Sequence, residues 1–420
     1  MLKKNTKQIE LILLILIVFG YFIISYLLIR QRNPLWYDEL YTLDIVKSDL
    51  SRTILLIVGD GKPPLYYVLV YIYSNILGTL STDILRFSSA LLGVPFIIYV
   101  YKLCKEFISH SFIIPFIITL LLATNPLFLS YSIEYRGYTL LASAAVVFLY
   151  YFYKSVVLKD SKFNSKYLYS KVFLLLTSYV TIFLLGAELL YKIVTSKVAF
   201  SLKRIIIENK IDILILGIAG VIIQLQTNIF PNFYAGWVPA IDIKSFFNSV
   251  LILFLGTDAG KSGKSYPFNI NNNDSNLLVY SICFYILIVI LIYIFNKVLK
   301  SDIKKLFVIL VINLFIVLGI SIEASPIKFY LERYVIGILL SLLLVFLLSV
   351  SEISKKLFYI FAILVFAFNT LFVFNILTRN TTFIETDPKS QEYIDYYTNT
   401  KLYKCGVNMF ERKRINCPPD

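Results

Sequence analysis

The chain has 420 residues, 58% of them hydrophobic, a mean hydropathy of +0.76 and a formal net charge of +14. Apolar runs this long and this numerous exclude an ordinary soluble domain and describe an all-α polytopic membrane protein. The charge does not indicate a nucleic-acid partner, because the lysines are spread through short loops between apolar runs.

Lys3, Lys4 and Lys7 precede a first apolar run at about Ile9–Ile29. It is as long as a spanning helix and has no small-residue cleavage site, so it reads as a retained anchor with a cytoplasmic N-terminus. Residues 30–83 form the first extracytoplasmic loop, with a short helix through about Leu43–Val58. The Leu65–Leu80 run is short for ~30 Å of hydrocarbon at ~1.5 Å per residue, so it reads as interfacial or re-entrant.

Further helices are expected at about 85–104, 111–130 and 138–153, two short ones within 170–201 with a turn near Tyr179, then 211–229, 276–296, 304–322, 334–350 and 356–377. The loops at Lys102 and Lys105, at Lys154, Lys159, Lys162, Lys166 and Lys171, at Lys203, Arg204 and Lys210, at Lys297–Lys305 and at Lys355–Lys356 are basic. All are cytoplasmic if 65–80 does not cross and 170–201 crosses twice. That solution has about eleven spans in a cell inner or plasma membrane. Residues 1–377 form one transmembrane catalytic unit, with a long extracytoplasmic loop at 230–275, and 378–420 form a small extracytoplasmic tail. Within the long loop, Ile243–Leu255 reads as an interfacial helix, followed by a Gly- and Asn-rich run.

The unusual charges fall on the outer side of this arrangement. Asp38-Glu39 follows the first helix, with Trp36, Tyr37 and Tyr41 pinning it at the interface. An isolated acid pair is more often a solvated loop. In this setting it can act as a general base or hold a divalent cation such as Mg or Mn. Asp60 and Lys62 come before Pro63-Pro64, which stiffen the start of the next helix, and Tyr66 follows. Arg86 opens a helix, Glu134, Arg136 and Tyr138 lie between two helices, and Arg333-Tyr334 precedes another. Each cation suits a phosphate, or decorates a helix end. Trp237 and Tyr234 are placed to stack on a sugar. Cys104 and Cys283 lie in apolar runs, and the single histidine, His110, sits in a short loop, so a His/Cys metal site is not expected. Cys405 and Cys417 lie in the polar tail, and their spacing does not establish a disulfide.

Taken in order, Trp36-Tyr37-Asp38-Glu39, Lys62-Pro63-Pro64-Leu65-Tyr66-Tyr67, Arg86 with Ser89-Ala90-Leu91-Leu92-Gly93, Glu134-Tyr135-Arg136-Gly137-Tyr138 and Arg333-Tyr334 resemble the GT-C membrane glycosyltransferases. The closest resemblance is to the protein O-mannosyltransferase and aminoarabinose-transferase branch, glycosyltransferase family 39. It implies a GT-C fold and a polyprenyl-phosphate-linked sugar donor in the membrane lipid. It also implies an acceptor glycan, lipid or protein on the extracytoplasmic side, and inversion at the anomeric carbon. Asp38 corresponds to the family's base, with Glu39 in support. Lys62 corresponds to a donor-phosphate ligand, and Arg86, Arg136, Arg333 and Tyr334 are candidates for the same clamp. Gly61 stands where relatives often carry Glu or His, and the histidine often found near Tyr179 is absent. A lipid-linked sugar transporter or flippase, which calls for essential mid-membrane charges, and an integral membrane glycan polymerase are the competing classes.

Overall fold

The computed structural model describes residues 2–31, 37–59, 63–77, 81–108, 111–195, 209–229, 310 and 332–378. Helix is the only regular structure among the described residues.

Helix α1 (Leu2–Arg30) carries apolar side chains around its whole circumference, as a lipid-embedded helix does. The first loop then folds into three short helices, α2 (Tyr37–Lys47), α3 (Leu50–Gly59) and α4 (Leu65–Leu77). The single helix expected near 43–58 is two, because the chain turns at Ser48-Asp49. There the Thr53 hydroxyl donates to the Ile45 carbonyl at 2.8 Å. Asp38 and Glu39 therefore lie in the first turn of α2 rather than in open loop. Negative charge is favoured there, because the unpaired N–H groups of a helix start point outward.

Helix α5 (Thr82–Leu91) and α6 (Val94–Phe107) form one apolar run of 26 residues. The Tyr73 hydroxyl near the end of α4 donates to Ile84 on α5 at 3.3 Å, while Tyr66 near its start meets Ser89 on α5 at 3.2 Å. Both ends of α4 thus stay beside α5. Gly93, between α5 and α6, is required by a close approach: a Cβ there would land on the Tyr21 hydroxyl. That hydroxyl donates to Ala90 at 2.9 Å and ties α1 to α5.

The helix expected at 111–130 is broken into α7 (Ile113–Ala123) and α8 (Pro126–Ser132), bent by 54°. Pro126 has no N–H to continue the ladder. The Asn125 side chain caps the restart, accepting from the amides of Leu127 (3.0 Å) and Phe128 (3.3 Å). The Leu121 carbonyl at the break accepts from Asn369 Nδ2 at 2.9 Å.

Helix α9 (Tyr138–Phe152) is the centre of the bundle. Around it lie α6, α10 (Asn164–Leu175) and α13 (Glu332–Ile353). Gly337 on α13 lets that helix approach closely, since a Cβ there would come within 2.8 Å of the Ala145 Cβ. The remaining described α-helices are α11 (Ile182–Thr195), α12 (Lys210–Ile229) and α14 (Lys355–Thr378). Phe96, Phe128, Phe148 and Phe152 fill the core, with the Phe96 and Phe128 rings stacked at 4.3 Å.

Among the described residues five stretches are long and apolar enough to cross a membrane: Lys7–Arg30, Thr82–Phe107, Tyr138–Val157, Ile336–Ile353 and Lys355–Phe374. The bent α7–α8 pair makes a sixth if it counts as one span. The chain is thus an all-α, membrane-embedded protein. The helices expected at 276–296 and 304–322, the loop 230–275 and the tail beyond Thr378 lie outside the described residues, Leu310 apart.

One correction concerns charge. Lys166 and Lys171, expected in a basic loop, belong to α10, which starts at Asn164. The Lys171 side chain is buried among partners described below.

Candidate active site at one end of the bundle

Three segments far apart in sequence meet at the end of the bundle where α1 finishes: the first turns of α2, the start of α4 and the 133–137 turn between α8 and α9. Their junction is a buried ion pair. Arg86 donates through Nε to Glu39 Oε1 at 3.0 Å and through a terminal nitrogen to Oε2 at 2.7 Å. The two side chains are 2% and 0% exposed. Such a fork matches the planar guanidinium to both carboxylate oxygens and fixes direction as well as distance. The backbone amide of Tyr135 adds a third bond, donating to Glu39 Oε1 at 2.8 Å. One carboxylate on α2 therefore holds α5 and the 133–137 turn together.

Arg136, next along that turn, reaches the other way. One terminal nitrogen donates to the Thr42 hydroxyl at 3.1 Å and to the Tyr67 hydroxyl at 3.4 Å. Thr42 lies three residues after Glu39, one turn along the same face of α2. The Arg136 carbonyl accepts from Ser89 at 3.4 Å, and Ser89 meets the Tyr66 hydroxyl. A Cβ at Gly137 would touch the Tyr66 side chain at 3.1 Å, so the turn is seated directly on α4. The Tyr66 and Tyr135 rings meet edge-on at 6.3 Å. Burial pushes both phenols above the ordinary tyrosine range, so they stay neutral hydrogen-bonding groups at physiological pH. Arg30 and Asp83 pair at 3.1 Å on the exposed rim, joining the end of α1 to the start of α5.

The sequence-derived candidates separate in this geometry. Glu39, Arg86, Arg136, Tyr66 and Glu134 are brought together. Tyr138 begins α9, with its ring edge-on to Tyr131 at 5.2 Å. Tyr37 and Asp38 occupy the first turn of α2, and Arg333 and Tyr334 the first turn of α13. The side chains of those four, and Asp60, Lys62 and Trp237 entirely, lie outside the described residues. Arg86 departs from the phosphate-ligand reading: its fork is seated on Glu39 and it is buried, so it acts through the carboxylate. Glu39 fits poorly as a metal ligand for the same reason. Its two oxygens already accept three hydrogen bonds, two of them from a cation. Among the described residues no group of three His, Cys, Asp or Glu is arranged to hold a metal ion.

Sequence reasoning missed Thr42, and it quoted Tyr67 and Ser89 within their motifs without giving either a role. Thr42 sits one turn from Glu39, which was the available signal. Sequence reasoning also missed a second charged cluster, between α10, α11 and α12. Lys171 pairs with Glu188 at 2.9 Å and with Asp212. Lys192 pairs with the same two acids at 2.6 and 2.5 Å. The Tyr167 hydroxyl donates to Glu188, and its ring lies 4.2 Å from the Lys171 ammonium. Two cations and two carboxylates close a charge-balanced ring. The i, i+4 spacing of Glu188 and Lys192 was its only local trace.

A scan against protein-family models gives no match, and a search of curated proteins gives none either.

Proposed function

We propose that the chain is a membrane glycosyltransferase of GT-C type that moves a sugar from a polyprenyl-phosphate donor to an acceptor on the extracytoplasmic side. The observation that supports this reading is convergence. The Asp38-Glu39 turn, the helix that begins after Pro63-Pro64 and the Glu134-Tyr135-Arg136-Gly137 turn meet through Glu39, Arg86, Ser89 and Arg136. Those are the separated motifs on which the family resemblance rests.

The chemistry follows from what each group can do. Asp38 takes the proton from the acceptor hydroxyl or amine. The freed lone pair attacks the anomeric carbon from the face opposite the phosphate. The bond from that carbon to the phosphate oxygen breaks, and polyprenyl phosphate leaves with the electron pair, so configuration inverts. Lys62 and Arg136 meet the charge that develops on the leaving phosphate. Glu39 and Arg86 hold α2 so that its first turn is already positioned when donor and acceptor meet, which lowers the entropy cost of the encounter.

The test is turnover by the purified full chain with a panel of radiolabelled polyprenyl-phosphate sugars. Sugar transfer with release of polyprenyl phosphate is expected for the wild type. Failure of every donor in the panel to turn over, with the protein folded, counts against the reading. The transporter reading gains one specific observation, the buried ring of Lys171, Glu188, Lys192 and Asp212. It predicts movement of intact lipid-linked sugar across a vesicle membrane with no release of the lipid phosphate.

A further inference from the structure

Helices α10, α11 and α12 are tied at one level by four charges. Lys171 on α10 and Lys192 on α11 each pair with both Glu188 on α11 and Asp212 on α12. Tyr167, one turn before Lys171, donates its hydroxyl to Glu188. The Lys171 and Glu188 side chains are 2% and 3% exposed. A buried ring of this kind adds little net stability, because desolvation offsets much of the attraction and apolar side chains of the same shape would hold the helices together as well. What it adds is direction. Apolar helix faces can slide by one residue, about 1.5 Å, and keep much of their contact. Ion pairs at 2.5, 2.6 and 2.9 Å cannot. Two anchor points one turn apart, Tyr167 and Lys171, fix both the depth and the rotation of α10.

The far end of α10 reaches the junction that carries Glu39 and Arg86. Five residues beyond Lys171, about 7.5 Å at the helical rise, the Leu176 carbonyl accepts from the Leu65 amide at 3.2 Å. Leu65 opens α4, and Leu176 follows the last residue of α10. An N–H at a helix start and a carbonyl at a helix end lack partners within their own helices, so each satisfies the other. Phe173, on the last turn of α10, packs against the cluster that holds Tyr66, Tyr67 and Tyr135. Tyr66 and Tyr67 follow Leu65 directly and meet Ser89 and Arg136. Helix α10 contains neither glycine nor proline, so it has no hinge at which to absorb a displacement between the ring and α4.

We propose that the ring is a positioning device for the candidate active site. It sets the depth and rotation of α10, and α10 holds the start of α4, with Tyr66 and Tyr67, against Ser89 and Arg136. Tyr167, Lys171, Glu188, Lys192 and Asp212 act through the helix. The device operates on the geometry of that junction and does not depend on the glycosyltransferase reading.

The experiment is hydrogen–deuterium exchange of the full chain in detergent, read by mass spectrometry with fragmentation that resolves the Leu65 amide. Pro63 and Pro64 carry no N–H, which separates its signal from that of the residues before it. The Leu65 amide is expected to be protected in the wild type. Lys171→Met with Asp212→Asn keeps the remaining charges balanced but removes both ion pairs of α10. Leu65 should then exchange about tenfold faster, the weight of one hydrogen bond to a charged group, while amides inside α9 and α10 stay within about twofold of their wild-type rates. If the double variant fails to fold, Tyr167→Phe keeps all four charges and should speed exchange at Leu65 in the same selective way. An unprotected Leu65 amide in the wild type, unchanged exchange at Leu65 in a folded variant, or an equal rise throughout α9 and α10 overturns the proposal, the last because the ring would then add only general stability.

Discussion

Glu39 is a buried junction of three segments, and on the proposed function its neighbour Asp38 takes a different task. Buried at 0% exposure, Glu39 is affordable only because Arg86 and the Tyr135 amide satisfy it. Removing one partner of such a pair leaves an uncompensated buried charge. Arg86→Met should therefore destabilise the protein by about 3–5 kcal/mol. Arg86→Lys keeps the charge but loses the fork, and should cost about 1.5–3 kcal/mol, the worth of one bond to a charged group. Chemical or thermal unfolding in detergent measures both. A neutral Arg86→Met would contradict the assignment of this pair as the junction of α2, α5 and the 133–137 turn. The pair was half legible in the sequence. The residue types and their order were visible, but an arginine near an outer helix end reads equally as a phosphate ligand. Only the fold could bring Glu39 to it across 47 positions of sequence.

The helices were legible where periodicity and length decide, and less so where side chains override them. Stretches such as Lys7–Arg30 and Lys355–Phe374 announce themselves through an unbroken apolar run. The break at Asn125-Pro126 had a readable signal, a capping residue before a proline, that the apolar run masked. Asn125→Ala should cost about 1 kcal/mol through the lost cap, measured as a shift in unfolding midpoint. An unchanged midpoint would mean that the cap contributes nothing. Helix α10 was the harder case, because Lys166 and Lys171 made a helix look like a basic loop. Its charges are balanced by residues on two other helices, Glu188 and Asp212, and pairing at such separations has no local pattern. This leads to a paired test. Lys171→Met leaves two carboxylates facing one cation and should lose about 3–5 kcal/mol. Adding Asp212→Asn restores the balance and should recover more than half of that loss. If the double variant is as unstable as the two single losses added together, the ring does not work as a unit.

At the scale of the molecule, α9 is the column against which α6, α10 and α13 pack, and the short helices of the first loop sit across one end of that bundle. The proposed function calls for chemistry on a substrate that stays in the lipid, and Glu39, Arg86, Arg136, Tyr66 and Tyr67 gather at one end of the bundle. The all-α membrane architecture followed from composition alone. The assembly of the site did not, because it depends on the 13-residue α4 packing against α5 and the 133–137 turn, and its apolar sequence does not name those partners. The account turns on Asp38 as the base. The most direct measurement follows donor binding and single-turnover sugar transfer together in Asp38→Asn and the wild type. Transfer should fall by about 10²–10⁴-fold while donor affinity stays within about twofold, because a general base acts on the acceptor's proton and not on the donor's phosphate. Wild-type transfer by a folded Asp38→Asn protein would contradict the account.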